Sequence, residues 1–177
     1  KFSKFNKNYS GVSGSLGLSY QLDAKSTFKV NLSRGFRAPN IAELASNGVH
    51  EGTFRYEIGD ENLKSETSHQ IDVAYFLNSD HITFEFTPFI NFISNYIFTE
   101  KLQDANGNDI IIDPSDPVPA FKFTQGNAQL FGGEVFIDVH PHPLDWLHIE
   151  NSFSYVRATQ NNSHEDEKLL PFIRATL

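Results

Sequence analysis

His50 sits in a long polar stretch together with Arg37, Arg55 and Glu57, and Arg34 lies just before it. Neutral imidazole is a good axial or equatorial ligand for first-row metals, and guanidinium forks hold carboxylates and similar anions through paired hydrogen bonds. Residues of these types at this density suit a site for an anionic or metal-bearing small molecule. Charges that merely meet water and lipid headgroups give the same pattern. His164-Glu165-Asp166-Glu167 adds imidazole to carboxylates, a sensible zinc donor set that reads equally as a hydrophilic surface loop. His140 and His142 form an H-x-H pair interleaved with Pro141 and Pro143, where turn geometry is the preferred reading. Asp104-Ala105-Asn106-Gly107-Asn108-Asp109 has its glycine at the fourth position of the run, whereas a calcium loop needs it at the sixth. Asn106-Gly107 therefore reads as the turn of a hairpin.

The elements that must hold these residues are strands. Val12, Leu16, Leu18, Tyr20 and Leu22 share one parity, with Ser13, Ser15, Gly17, Ser19 and Gln21 on the other. After a turn at 23–26, Phe28, Val30 and Leu32 alternate with Lys29, Asn31 and Ser33. The same alternation returns over 70–77, over 82–92, over 121–139 and over 147–155, and a last partial strand begins near Leu169. Pro88 interrupts the fourth pattern, so a bulge or a sheet edge is expected there, and Gly132-Gly133 marks a bend in the fifth. Asn151 breaks an otherwise apolar face.

Composition narrows the class. The chain has 17 Phe and 6 Tyr yet a net charge of −8, which suits strands with one apolar and one wet face. No apolar run approaches the roughly 18 residues of a membrane-spanning helix. The absence of cysteine removes disulfide frameworks, thiolate zinc sites and thiol nucleophiles. No basic stripe is present to neutralise phosphates, so nucleic acid is not an expected partner. Neither a G-x-S-x-G elbow nor a phosphate-binding glycine loop occurs, and the alternating Glu85, Glu134 and Glu150 read as positions facing a polar lumen. No enzymatic activity is expected.

Connection lengths then decide between a soluble β-sandwich and a membrane barrel. Short links at 23–26, 78–81 and 140–145 alternate with long ones at 38–63, 99–120 and 159–168. Outer-membrane barrels have short periplasmic turns and long extracellular loops, and Tyr9, Tyr20, Trp146 and Tyr155 suit interfacial girdles. The expectation is an all-β, antiparallel up-and-down transmembrane barrel, of which about six or seven strands are present. So few strands cannot close a large barrel, and Met is absent, so the chain is expected to be a slice of something longer.

Two short boxes carry a resemblance. Phe36-Arg37-Ala38-Pro39 opens the first long loop and Asp60-Glu61-Asn62-Leu63 closes it, with His50 between them. The segment 36–68 resembles the loop-and-strand region of TonB-dependent outer-membrane receptors. Gly133-Glu134 and the turn from His140 to Trp146 are similar to later strand and turn segments of that family. The resemblance runs through most of the chain and is densest over 34–77 and 126–157. It implies a barrel of about 22 strands, with residues 1–177 forming one segment of it and the plug domain absent from that segment. It also implies location in the outer membrane of a Gram-negative bacterium.

For haem receptors of the family, the resemblance implies that the histidine between the boxes ligates haem iron. The first box is intact here, while the second keeps only Asn62 and Leu63 of its Asn-Pro-Asn-Leu form, which leaves His50 open between haem iron, another metal and no ligand at all. The implied function is energised uptake of a scarce iron complex, siderophore or haem. The implied partners are a TonB-type coupling protein acting through the plug, the small iron chelate and outer-membrane lipid. No intrinsic cofactor is implied. Other readings are a TonB-dependent receptor for zinc or another nutrient, a passive porin, and a soluble β-sandwich adhesion module.

Overall fold

A computed structural model of the chain describes residues 6–144, 146–161 and 172–176, with residue 161 and residues 172–176 as backbone alone. Among the described residues the alternating patterns become nine strands: β1 (Gly14–Gln21), β2 (Ser26–Arg37), β3 (Asn47–His50), β4 (Arg55–Ile58), β5 (Glu66–Asn78), β6 (Ile82–Lys101), β7 (Ala120–Val139), β8 (Ile149–Asn161) and β9 (Phe172–Thr176). One short helix, α1 (Ile41–Ala45), lies between β2 and β3. They form one sheet in the order β1-β2-β5-β6-β7, and β7 also pairs with the β4–β3 hairpin and with β8, which pairs with β9. The meander of long strands agrees with the antiparallel up-and-down expectation. The exception is local, since β4 runs parallel to the start of β7 through Tyr56↔Ala120 to Ile58↔Lys122.

Several strands are longer than their patterns suggested. β6 has 20 residues against a pattern of 82–92, and β5 and β8 have 13 each, whereas β7 with 20 matches its pattern of 121–139. At about 3.3 Å per residue, even the shorter pair exceeds a tilted bilayer crossing. The first long loop is also more structured than expected, because its interior contains α1, β3 and β4. The chain divides into two compact units, one of residues 12–35, 68–93 and 127 onward, the other of residues up to 11, 36–67 and 94–126.

The first of these, the strand unit, shows why one parity is apolar. Leu16, Leu18 and Tyr20 of β1 lie directly opposite Leu32, Val30 and Phe28 of β2, while Ser15, Gly17 and Ser19 lie opposite Ser33, Asn31 and Lys29. A one-residue slip would put every side chain on the wrong face, so this pairing fixes the register. The apolar face is bare: Leu18 is 73 % exposed and Leu16 69 % exposed. In β7–β8 the same parity pairs Val135 with Phe153 and Val139 with Ile149, and Asn151 falls opposite Ile137. Nothing in the structure explains that asparagine.

Pro88 does not mark an edge, because β6 lies between β5 and β7. Instead its backbone is met by glycine. A Cβ on Gly133 would lie 2.9 Å from the Pro88 Cα, and one on Gly132 would lie 3.0 Å from the Val156 Cα and run into the Tyr155 carbonyl. The glycine pair is required for close backbone approach rather than for a turn conformation. Short turns close this unit. Asp23 accepts from the Lys25 N–H and the Ser26 hydroxyl, and Lys25 pairs with Asp80 of the next turn at 3.0 Å. Replacing Gly132 by Val should destabilise the barrel by about 1–3 kcal/mol, because the contacts are backbone and cannot swing away. The midpoint of denaturant unfolding in micelles measures this, and an unchanged midpoint would contradict the packing described.

Candidate functional site

The second unit, the loop unit, is organised by Arg37, the second residue of the Phe-Arg-Ala-Pro box. Its guanidinium donates from Nε and Nη2 to the two oxygens of Glu66 at 2.7 and 2.6 Å, and from Nη1 to Glu43 at 2.8 and 3.1 Å. This planar fork matches two carboxylates at once, which a lysine could not do. Each carboxylate has further donors. Glu66 Oε1 also accepts from the Ile97 N–H at 2.7 Å, and Glu43 Oε2 from the Asn40 N–H at 2.8 Å. Arg37 thereby ties α1 to the start of β5, and through Glu66 to β6. Its donors are occupied inside the protein.

Helix α1 has five residues, far too few to stand alone, and it is closed at its start by a capping box. Asn40 Oδ1 accepts from the Glu43 N–H at 2.9 Å while Glu43 reaches back to the Asn40 N–H. Gly59 lies against the other end. Its N–H donates to the Ser46 carbonyl at 2.7 Å, and a Cβ there would be 2.6 Å from the Leu44 carbonyl carbon. Asp60 follows, with its N–H donating to the Glu43 carbonyl at 3.0 Å.

The closing box then makes a turn and an anchor. Asp60 Oδ1 accepts from the Asn62 N–H at 2.8 Å, and Lys122 lies 3.5 Å from Oδ2. The Asn62 amide, with help from Lys122, holds the Asp60 carboxyl below the usual carboxylate range against the opposing effect of burial. Leu63 is buried at 4 % exposure with Leu44 and Ile97, and Tyr9 and Phe123 pack against that cluster. Tyr9, expected in an interfacial girdle, instead donates its hydroxyl to the Leu63 carbonyl at 3.1 Å. Phe36 lies against Gly11, where a Cβ would collide with its ring, and Pro39 is buried. Ala38 is half-buried beside it.

His50 ends β3 in a tight hairpin with β4, directly opposite Arg55. The carbonyl of His50 accepts from the Thr53 and Phe54 N–H groups, and its Nδ1 lies 3.2 Å from the Thr53 hydroxyl. The ring is exposed. Arg55 donates from Nε to the buried Glu57 at 2.8 Å and lies over the Phe121 ring at 5.2 Å. His50, Arg55 and Glu57 are thus gathered on one hairpin, whereas Arg37 is engaged elsewhere in the unit. Arg34 belongs to the strand unit, where it donates to the Val12 carbonyl.

An open cleft of about 460 Å³ lies beside the closing box, lined by Lys7, Tyr9, Asn62, Leu63 and Lys64 among others. Lys64, one of its lining residues, is held by Gln125, whose side-chain amide pairs with the Lys64 backbone at 2.7 and 2.6 Å and also donates to the Asn95 carbonyl at 2.9 Å. Asn95 sits at φ 56° inside β6 and donates to the Ser65 carbonyl at 3.2 Å. In the second long loop, Asp104 accepts from the Asn106 and Asn108 N–H groups, Gly107 adopts φ 82°, and Gln103 bridges to Asp109. That is the turn expected at Asn106-Gly107. His164-Glu165-Asp166-Glu167 lies outside the described residues.

Glu43, Glu66, Asn95 and Gln125 were not singled out from sequence. Only the Asn40-x-x-Glu43 spacing carried a readable signal, that of a capping box. The others act on residues from 29 to 61 positions away, where no local pattern exists.

A long-stranded antiparallel sheet with one bare apolar face is the form of a membrane β-barrel segment. The sequence profile of the family described as TonB dependent receptor-like, beta-barrel matches residues 1–175, and the chain belongs to that family. Among solved structures it is similar to the copper transporter OprC (TM-score 0.61, 18 % identity, 89 % of this chain and 22 % of that one). It is also similar to the siderophore receptor PirA from Pseudomonas aeruginosa (TM-score 0.59, 23 % identity, 84 % of this chain and 27 % of that one). A mutant of the ferric enterobactin receptor PfeA from Pseudomonas aeruginosa gives a TM-score of 0.57 at 16 % identity, over 92 % of this chain and 31 % of that one. At these identities the likeness is one of fold, and the chain spans between about a fifth and a third of the length of these proteins.

Two outcomes follow. Replacing Arg37 by Ala leaves two carboxylates facing each other without a cation. It should cost about 1–3 kcal/mol, held to that range because the arginine is half exposed to screening solvent. Limited proteolysis should show new cleavage within 38–63, and Arg37→Lys should restore only part of the protection. The second concerns pH. Because the folded Asp60 carboxyl titrates below its unfolded value, its contribution is complete above the ordinary carboxylate range, near pH 4, and is lost as pH falls through the lower folded value. Protection of the Asn62 and Leu63 amides from hydrogen exchange, corrected for intrinsic rates, should fall over that acid window and become pH-independent in Asp60→Asn.

Proposed function

We propose that the chain is part of an outer-membrane receptor that takes up a scarce metal complex, with an iron complex (siderophore or haem) as the favoured cargo. Uptake is energised by a TonB-type coupling protein acting through a plug outside residues 1–177. The observation that carries this reading is the bare apolar face. Leu16, Leu18, Leu32, Ile71, Ile82, Phe86, Phe92, Ile149 and Phe153 are all at least two-fifths exposed. At about half exposure each such side chain left in water forgoes roughly half of the 1.5–3 kcal/mol that full burial supplies, so the set is comparable with a whole domain's net stability of about 5–15 kcal/mol. Lipid covers that face, and a soluble adhesion module has no means to do so. In this reading the segments 38–63, 99–120 and 159–168 are extracellular.

The ordered loop unit favours a receptor over a passive porin. Arg37 and its two carboxylates act as a structural clamp, leaving the cleft and the β3–β4 hairpin to meet ligand. Lys7 and Lys64 bring two ammonium groups to the cleft, which suits an anionic ferric chelate. The β3–β4 hairpin is the second ligand surface in this reading, with the exposed His50 ring as the candidate ligand for haem iron or a bare metal ion and Arg55 beside it, held by the buried Glu57. A chelated or free metal as cargo is in keeping with the siderophore receptors and the copper transporter among the similar structures.

The test is binding to the full-length protein purified in detergent, comparing ferric siderophores, haem, copper and zinc. A ferric siderophore should bind with an affinity that drops when Lys7 and Lys64 are both changed to Ala. If haem binds instead, His50→Ala should abolish the shift of its Soret band, and an unchanged shift rejects His50 as the axial ligand. Binding of none of these by the folded protein would overturn the uptake reading.

A further inference from the structure

The strand unit contains a second group of metal-ligating side chains, and it lies at the short β7–β8 turn. Asp138 near the end of β7, His140 just after it and His148 just before β8 offer ligand atoms that all lie within 4.8 Å of one another. We propose that Asp138, His140 and His148 bind a divalent transition-metal ion, with Zn²⁺ as the ion that fits the donor set. This stands apart from cargo uptake and does not depend on it.

The hydrogen bonding points to a missing cation. His140 Nε2 lies 3.2 Å from the Ser79 carbonyl, an oxygen that can only accept, so that nitrogen holds the proton and Nδ1 presents a lone pair. Nδ1 is buried without a hydrogen-bond partner and faces Asp138 Oδ2 at 3.4 Å. Asp138 is itself only 8 % exposed, and its Oδ1 also lacks a hydrogen-bond partner. An imidazole lone pair and a carboxylate turned towards each other in a dry setting are relieved by a shared cation, a proton or the proposed metal ion. A metal-bound histidine commonly donates its other ring N–H to a backbone carbonyl, which is the arrangement seen at Ser79.

Spacing agrees with the charge argument. Around tetrahedral zinc, bonds of about 2.0–2.1 Å place neighbouring donors roughly 3.3–3.5 Å apart. Asp138 Oδ2 is 2.8 Å from His148 Nδ1 and 3.4 Å from His140 Nδ1, so small side-chain rotations complete the set. The two imidazoles are stacked, with ring centres 5.3 Å apart. A proton on His148 alone satisfies the contact to Oδ2 and leaves Oδ1 and His140 Nδ1 without partners. His148 is half-exposed and gives the ion a way in. Water completes the coordination. Such an ion cross-links the end of β7 to the residues entering β8 and clasps the 140–148 turn.

The experiment uses the full-length protein in detergent, stripped with a chelator and titrated with zinc chloride in a calorimeter, and with cobalt chloride followed by its visible absorption. It is run in the His50→Ala background so that a loop site does not contribute. One Zn²⁺ per chain is expected, with cobalt bands typical of four- or five-coordinate geometry. His148→Ala and Asp138→Asn should each weaken binding by more than about tenfold and abolish the bands. His148→Gln serves if the alanine variant does not fold, and Trp146 fluorescence reports the integrity of the turn in each protein. Equal zinc affinity and stoichiometry in the parent and the His148 and Asp138 variants would overturn the proposal, as would a folded parent that takes up no Zn²⁺.

Discussion

Cross-strand pairing of backbone groups is the constraint on which the rest of this structure depends. A strand whose outer face is apolar cannot send its N–H and C=O groups to water or lipid, so they must meet those of a neighbour. This is in keeping with the length of β6, which stays paired well beyond the end of its apolar pattern at 92. It also explains the glycines at 132 and 133, since ladder pairing around Pro88 brings backbones too close for any side chain. The outward parity is then free to be apolar and the inward one small or polar, as the β1–β2 pairs show residue by residue.

The loop unit is stabilised by a different balance. Its buried apolar cluster is small, with Leu44, Leu63 and Ile97 at the centre. Burying three such side chains contributes about 1.5–3 kcal/mol each, and hydrogen bonds to charged groups are worth about the same apiece. Solvent screening of the half-exposed Arg37 reduces that figure, so its fork with Glu43 and Glu66 supplements the small core rather than matching it. A polar clamp of this kind orders a loop while leaving its outer surface wet, which a larger apolar core would not. Gln125 repeats the device by supplying, from a side chain, the pairing that a strand would give to Lys64.

Histidines occur in two settings within the chain, and their physics differs. His50 is exposed on a hairpin, where an imidazole is available to an arriving ligand but gains little from its surroundings. His140 is partly buried beside the buried Asp138 near a turn, where both carry atoms without a hydrogen-bond partner and a shared cation would be stabilised. The first arrangement suits capture and release, the second a resident ion.

Much of the architecture was legible in the sequence. Period-two alternation gave the strands and their faces, and the spacing of short and long connections gave the barrel class, because both follow from local geometry that a bilayer imposes on every strand. The two boxes bound the loop that folds into α1, β3 and β4. Their physical jobs were not legible, because Arg37 meets Glu66 across 29 residues and Leu63 is buried by residues from other parts of the chain. The parallel pairing of β4 with β7, the role of Gly132 and Gly133 as close-approach points and the convergence of Asp138, His140 and His148 were likewise decided in three dimensions. Sequence reports what each residue prefers next to its neighbours, whereas these contacts exist only once the sheet register has fixed which distant backbone lies alongside.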